Sequence, residues 1–187
     1  MVQKSVDSFL SSPSALKQLQ DQPQVQQLLG HALRENRIGH AYLFVGAPGS
    51  GKGAAAKALA QCVLCEHGGD ASCEECIRIS RGTHPDFHIL SPQSATGYLI
   101  EQIRQLISDV NLAPMRGTYK IYLIDRADML RENSANALLK TLEEPPSDTI
   151  FILSARSTST VLSTIVSRCQ VVTFKTLTDA AAQAAIM

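Results

Sequence analysis

A glycine-rich run that contains a single lysine carries the clearest chemical signal in the sequence. Gly46, Gly51 and Lys52 occupy the fixed positions of the phosphate-binding pattern G-x-x-x-x-G-K-[ST], and Gly49 adds a further glycine between them. In this pattern backbone N–H groups cradle phosphates and the lysine reaches the outer ones. Gly53 stands where a Ser or Thr hydroxyl normally holds Mg²⁺. The sequence therefore predicts a site for ATP or ADP at which Mg²⁺ binding is weakened.

An acidic residue later in the chain is a candidate for the same nucleotide site as this loop. Asp125 ends an apolar run, which is where P-loop NTPases place the aspartate associated with Mg²⁺. The next residue is Arg126, which stays protonated in proteins and cannot act as a base. Asp128 lies two positions further on, so its carboxylate cannot take the place of a base at position 126 unless the turn is rebuilt. We predict that Asp125 belongs to the nucleotide site and that hydrolysis is negligible.

Four cysteines are spaced as two C-x₂-C pairs, which suits tetrahedral zinc. They are Cys62, Cys65, Cys73 and Cys76. The alternative for Cys62 is that it is a small apolar residue buried in a helix. His67 and His84 are substitute ligands if one cysteine is not used, and Cys169 stands apart. We expect one structural zinc ion here.

Short apolar runs alternate with helical patterns along the chain. The runs cover residues 41–45, 87–90, 121–125, 150–154 and 171–174. This alternation predicts an α/β fold with a five-stranded, mainly parallel sheet flanked by helices. The glycine loop follows the first run and precedes an alanine-rich helical stretch over residues 53–64. That strand–loop–helix context is the one in which a helix N-terminus binds phosphate.

The composition is that of an ordinary soluble domain. The 187 residues carry 17 Lys and Arg against 17 Asp and Glu, so the net charge argues against a strongly basic nucleic-acid binder. No apolar run reaches the roughly 18 residues of a membrane span. The N-terminus lacks the apolar core of a signal peptide. We expect a cytoplasmic protein without membrane contact, whose five cysteines are reduced or bound to metal.

Four ordered motifs resemble those of bacterial DNA polymerase III clamp-loader subunits. They are residues 37–44, residues 82–86, the run NALLKTLEEPP at 136–146, and Ser167-Arg168-Cys169. The resemblance implies an AAA+ P-loop NTPase domain with a small zinc-binding insertion. It further implies partners: the gamma/tau and delta subunits, the sliding clamp through the assembly, and primed DNA.

The same resemblance implies boundaries along the chain. We expect an N-terminal lead-in over residues 1–22 and the nucleotide-binding domain over 23–177, with its zinc module at 62–86. Residues 178–187 would begin a lid domain, of which the chain holds only the start.

Within this family, departures at the nucleotide site favour the stator-like delta prime subunits over the ATP-hydrolysing gamma/tau motor. These departures are Gly53, Arg126 in place of a glutamate, and Arg156, which lies near the position after the fourth strand where the family often has a small polar residue that senses the γ-phosphate. By the same resemblance, Arg168 is an arginine finger supplied to the ATP of a neighbouring motor subunit. The zinc module departs too, because Asp70 stands where a cysteine usually falls. Cys62 is one candidate to compensate, and the ligand set stays open.

A nucleoside monophosphate kinase is the alternative from another class. The run 46–53 is also close to the adenylate kinase loop, in which glycine after the lysine is normal. Against it, those enzymes follow that glycine with Thr, whereas this chain has Ala54. Their zinc lid also lies far from the loop, and nothing in them resembles residues 136–146.

Overall fold

A computed structural model of the protein describes residues 13–176. Five parallel strands form one sheet in the order β2-β3-β4-β1-β5. They are β1 Ala41–Val45, β2 Phe87–Leu90, β3 Lys120–Ile124, β4 Thr149–Ala155 and β5 Gln170–Thr173. Each lies within one residue of a predicted run, so the predicted α/β sheet is confirmed. The predicted start of a lid domain at 178–187, and residues 1–12 of the lead-in, lie outside the described residues.

In the described part of the chain, six α-helices connect and cover the strands. They are α1 Pro23–Arg34, α2 Lys52–Leu64, α3 Glu74–Arg81, α4 Ile100–Val110, α5 Glu132–Glu143 and α6 Ser163–Val166. The same residues include 3-10 turns at Ser14–Leu19, Ala127–Met129 and Thr158–Thr160. Within residues 13–176 no helix is long and apolar enough to cross a membrane.

The central strands β3, β4 and β1 are buried along their whole length because helices cover both of their faces. Along β1, Tyr42 and Phe44 join the core that contains α1 and α2, whereas Leu43 joins the core that contains α4 and α5. All five residues of β1 are buried. This two-sided burial fixes the position of β1, and therefore of the loop that follows it.

The segment before α1 is part of the core, which differs from the predicted loose lead-in. Ala15, Leu16 and Leu19 are at most 3% exposed and belong to the α1–α2 core cluster. The backbone N–H of Ala15 donates to the carbonyl of Gly69, 2.9 Å away. The sequence pattern did not predict this packing, because the apolar residues stand among Ser and Gln and their partners lie far along the chain.

A buried glutamine joins three distant segments. The Gln22 carboxamide donates to the carbonyls of Ser50 (3.1 Å) and Lys175 (2.7 Å) and accepts from the Lys175 N–H (3.0 Å). Gln22 is 4% exposed, and its bond to the buried Ser50 carbonyl lies away from solvent, where a lost partner is costly. It ties the end of the lead-in to the glycine loop and to the chain after β5.

Replacing Gln22 with Ala should destabilise the fold. The change leaves buried backbone groups without their partner, which costs about 1–3 kcal/mol. The measurement is urea unfolding of the 187-residue chain followed by circular dichroism. Gln20→Ala, at an exposed position two residues earlier, is the matched control and should unfold like the wild type. Equal midpoints for both variants would show that the Gln22 bonds contribute nothing.

Candidate functional site

The glycine loop lies between the end of β1 and the start of α2. Gly49 and Gly51 have φ of 78° and 88°, the left-handed region that glycine adopts without strain. A side chain at either position would meet nothing within 4 Å, so these glycines are needed for backbone conformation and not for space. Gly51 caps α2, whose first N–H groups open into the loop. The arrangement is that of an anion site at a helix N-terminus.

Gly46 and Gly53 serve the loop in different ways. A Cβ at Gly46 would lie 2.9 Å from the Cβ of Phe174 and 2.8 Å from the Ser50 hydroxyl, so only glycine fits there. A Cβ at Gly53 would meet nothing within 4 Å. The space at position 53 would therefore admit the side chain of a Ser or Thr, so steric crowding does not explain the missing Mg²⁺-binding hydroxyl.

Lys52 lies across the loop and is held by it. Its Nζ donates to the carbonyls of Gly46 (2.7 Å) and Ala47 (2.8 Å) and is 3.3 Å from the Ser50 hydroxyl. Burial lowers the pKa of Lys52, although the nearby carboxylates of Asp125 and Asp128 act in the opposite direction. An incoming phosphate would have to replace these loop contacts.

Asp125 follows β3 and is oriented by a neighbouring strand. Its Oδ1 accepts a hydrogen bond of 2.6 Å from the Ser154 hydroxyl of β4. The same hydroxyl oxygen accepts from the Arg126 N–H at 3.1 Å. Ser154 is 3% exposed and was not singled out in the sequence, where the signal was a hydroxyl at the end of an apolar run. The structure thus brings Asp125 and Lys52 to the same edge of the sheet.

The residues around Asp125 supply no base in the predicted position. Arg126 is exposed and adopts a positive φ of 52°. Asp128 lies in the turn Ala127–Met129, and its Oδ1 is buried with no hydrogen-bond partner among the described residues. Arg156 follows β4 directly, and its charge further lowers the pKa of Lys52. Arg156 therefore adds a second cation near Lys52, alongside the carboxylates of Asp125 and Asp128.

Arg168 follows α6 and is paired within the chain. Its Nε donates to Glu143 Oε1 at 2.8 Å, and its Nη2 donates to the same oxygen. Its Nη1 donates to the carbonyl of Thr164 at 2.7 Å. The arginine side chain is 30% exposed. Glu143 ends α5 inside the run 136–146, and sequence reasoning missed this pairing because it joins residues 25 positions apart.

A cluster of metal-ligating side chains lies between α2 and α3. The ligand atoms of Cys65, His67, Asp70 and Cys73 all lie within 4.8 Å of one another. The Cys65 and Cys73 sulfurs are 3.4 Å apart. Thiolate, imidazole and carboxylate are the donors that zinc takes, so the residues fit this metal.

The remaining predicted ligands lie around this group. Cys76 is fully buried at the start of α3, and burial is the main cause that raises the pKa of its thiol, with Asp70 and Cys65 adding to the rise. Cys62 lies outside the group of four, within α2 and the apolar core, where its sulfur packs against Gly69. A Cβ on Gly69 would approach that sulfur to 2.9 Å.

His84 also lies apart from the metal-ligating group. Its Nδ1 accepts from the Asp86 N–H at 3.0 Å, and its Nε2 is 2.9 Å from Glu75 Oε2. Burial lowers the pKa of His84. Both ring nitrogens therefore have partners other than the predicted zinc site.

Known proteins share this sequence and this fold. Residues 21–178 match the family described as DNA polymerase III, delta subunit. The chain is 40% identical over 161 residues to DNA polymerase III subunit delta' of Bacillus subtilis, covering 83% of this chain and 48% of that protein. It is 39% identical over 173 residues to DNA polymerase III subunit tau of the same organism, covering 90% of this chain and 30% of that protein.

A solved structure agrees with the sequence comparisons. The crystal structure of a DNA polymerase III gamma subunit-related protein from Thermotoga maritima superposes with a TM-score of 0.64 at 23% identity. The superposition covers 84% of this chain and 47% of that one. Together with the strand order and the loop, this likeness defines an AAA+ P-loop domain.

The family match then identifies the chain more closely. It belongs to the DNA polymerase III delta-subunit family, whose relatives include delta' and tau subunits. The chain spans about half the length of the delta' relative and a smaller share of the tau relative.

Restoring the missing hydroxyl should restore Mg²⁺ dependence. In Gly53→Thr the side chain enters open space, so the loop should keep its fold. We expect Mg²⁺ to tighten ATP binding about tenfold in this variant, the equivalent of about 1.4 kcal/mol, and to have little effect on the wild type. Titration calorimetry with and without Mg²⁺ measures this. Gly53→Ala, which fills the same space without a hydroxyl, is the control, and an equal Mg²⁺ effect in Ala and Thr variants would contradict the account.

Proposed function

We propose that this chain is the AAA+ domain of a delta prime-type clamp-loader subunit that acts on a neighbouring ATPase. The single observation that carries the proposal is a nucleotide site that keeps its phosphate contacts but lacks its catalytic groups. Lys52 and Asp125 are in place, whereas Gly53 and Arg126 stand where the Mg²⁺ hydroxyl and the water-orienting carboxylate are needed. Membership in the DNA polymerase III family supports the proposal.

An ATP-hydrolysing gamma/tau motor subunit is the second candidate. The 39% identity to the tau relative, close to the 40% for delta', favours it. The substituted site favours delta prime, because a motor must hydrolyse its own ATP. Family membership argues against the nucleoside monophosphate kinase, which a test for ADP formation with AMP as acceptor addresses directly.

Arg168 is the residue we propose for the trans action. A guanidinium supplied across a subunit boundary stabilises the charge of a transferred phosphoryl group. In this chain the Nε and Nη2 of Arg168 both donate to Oε1 of Glu143, an anionic oxygen of the kind that a phosphate also presents. The pair is partly exposed, and such pairs are worth about 0.2–1 kcal/mol. A phosphate on the neighbour can therefore replace Glu143 at little cost.

The proposed setting is the replication machinery of the cytoplasm. The partners are the gamma/tau and delta subunits, with the sliding clamp and primed DNA reached through the assembly. The names of the relatives as DNA polymerase III subunits support this setting.

We further propose that the cysteine cluster holds one structural zinc ion. Cys65, Cys73 and Cys76 supply thiolates between the end of α2 and the start of α3. Metal bound in this way couples to folding, so that a chelator lowers thermal stability. The ion would hold the segment between α2 and β2, which includes α3, in one conformation.

Hydrolysis by the isolated chain should be negligible. A base or water-orienting group contributes roughly 10²–10⁴-fold in rate, and this site lacks one. We expect turnover far below the ordinary range of about 1 s⁻¹. Phosphate release from ATP and Mg²⁺ by the purified chain is the measurement. Turnover near 1 s⁻¹ would instead identify a motor subunit.

Arg168→Ala in the full-length subunit should slow a neighbour. Reconstituted with the other loader subunits on primed DNA and the clamp, we expect assembly to survive while ATP turnover at the site facing Arg168 falls by at least tenfold, since arginine fingers are worth about 10³–10⁵. Arg168→Lys should rescue poorly because it lacks the planar fork.

The matched control is Arg104→Ala, which removes an exposed arginine from α4. It should load clamps at the wild-type rate. Normal loading by both Arg168 variants would show that Arg168 is only an ion-pair partner of Glu143.

A further inference from the structure

The Asp70 carboxylate lies beside the cysteine cluster, and its side chain is only 30% exposed to solvent. Its Oδ1 accepts from the N–H groups of Ser72 and Cys73, each at 3.1 Å, and lies 3.9 Å from the Cys65 sulfur. The Cys73 sulfur accepts from the Cys76 N–H at 3.5 Å, so the buried Cys76 lies beside these groups at the start of α3. The turn that carries Asp70 thus presents an ionisable oxygen to the cluster of Cys65, Cys73 and Cys76.

The spacing of these atoms suits one tetrahedral ion. Zinc binds sulfur at about 2.3 Å and carboxylate oxygen at about 2.0–2.2 Å, so that its ligand atoms lie roughly 3.4–3.8 Å apart. The Cys65 and Cys73 sulfurs are 3.4 Å apart, and Asp70 Oδ1 is 3.9 Å from Cys65. The cluster therefore needs only small adjustments to surround a metal.

The other two candidates for the fourth position are less well placed. Cys62 is 1% exposed within the apolar core of α2, where its sulfur lies against Gly69. His67 belongs to the metal-ligating group of four, but its side chain is 71% exposed and its Nδ1 lies 4.0 Å from Asp70 Oδ2. An exposed ring held by one distant contact is a weaker anchor than a carboxylate fixed by two N–H groups.

We infer that Asp70 is a direct zinc ligand and completes a site of three thiolates and one carboxylate. This inference rests on the structural zinc proposed above. Three thiolates and one carboxylate give the same formal charge as four thiolates, so the site needs no compensating residue. Cys62 then remains a core residue of α2, although its spacing to Cys65 gives the C-x₂-C pattern.

Asp70→Asn separates ligation from the shape of the turn. Asparagine keeps an oxygen that can accept from Ser72 and Cys73, but it offers zinc a neutral amide in place of a carboxylate. In the 187-residue chain, zinc affinity measured against a competing chelator should fall by more than the roughly 10–100-fold that loss of an outer-shell partner costs. Circular dichroism of the metal-loaded variant checks that it folds.

Cobalt substitution counts the thiolates directly. With Co²⁺ as the probe, Asp70→Cys should restore tight binding and raise the thiolate-to-cobalt absorption from that of three thiolates to that of four. Cys62→Ser and Glu66→Gln, an exposed acid next to Cys65, should leave both affinity and spectrum unchanged.

The failures can be told apart. Wild-type zinc affinity and an unchanged cobalt spectrum in Asp70→Asn would overturn the role of Asp70 while leaving the zinc site intact. Loss of thiolate absorption in Cys62→Ser would overturn it in favour of Cys62 as the fourth ligand. A wild-type chain that binds neither metal would overturn both this inference and the zinc proposal.

Discussion

The parallel pairing of β1 with β4, and of β4 with β3, is the constraint on which the nucleotide site depends. The register sets Val45 opposite Ala155 and Ile124 opposite Leu153, so the carboxyl ends of three buried strands meet at one edge. At that edge lie the segments that come directly after these strands: the glycine loop after β1, Asp125 after β3 and Arg156 after β4. Because side chains alternate between the faces of a sheet, a slip of one residue in β4 would turn Ser154 away from Asp125. Burial on both faces makes such a slip costly, and this keeps the acid aligned with the loop.

The cysteine module is built into the same framework. The Gln61 side chain of α2 donates to the Cys76 carbonyl at 2.9 Å, which joins α2 to α3 beside the cluster. Glu75 of α3 lies 2.9 Å from His84 Nε2 and 2.8 Å from Arg116 Nη1. The Asp86 carboxylate in turn accepts from the N–H groups of residues 115–117. A metal ion that orders α3 would therefore also steady the approach to β2 and β3.

Local patterns in the sequence predicted the local structure well. The five strands and the loop–helix unit follow from apolar runs, glycine positions and one lysine, all of which act over a few residues. Contacts between distant segments were not predictable in this way. The Arg168–Glu143 pair, the Ser154–Asp125 bond and the packing of Leu16 each depend on how the sheet brings separate parts of the chain together. The fourth metal ligand could not be assigned from sequence for the same reason: Cys62 has the C-x₂-C spacing, whereas the contacts of Asp70 with the N–H groups of Ser72 and Cys73 become visible only in the fold.

We propose that this subunit contributes to ATP hydrolysis by a neighbouring subunit and does not hydrolyse ATP at its own site. ATP turnover by the reconstituted clamp-loader assembly on primed DNA, compared between Lys52→Ala and Arg168→Ala versions of the full-length subunit, tests this most directly. The account predicts turnover near the wild-type rate for Lys52→Ala and a marked loss for Arg168→Ala. Turnover that collapses with Lys52→Ala and is unchanged with Arg168→Ala would contradict it.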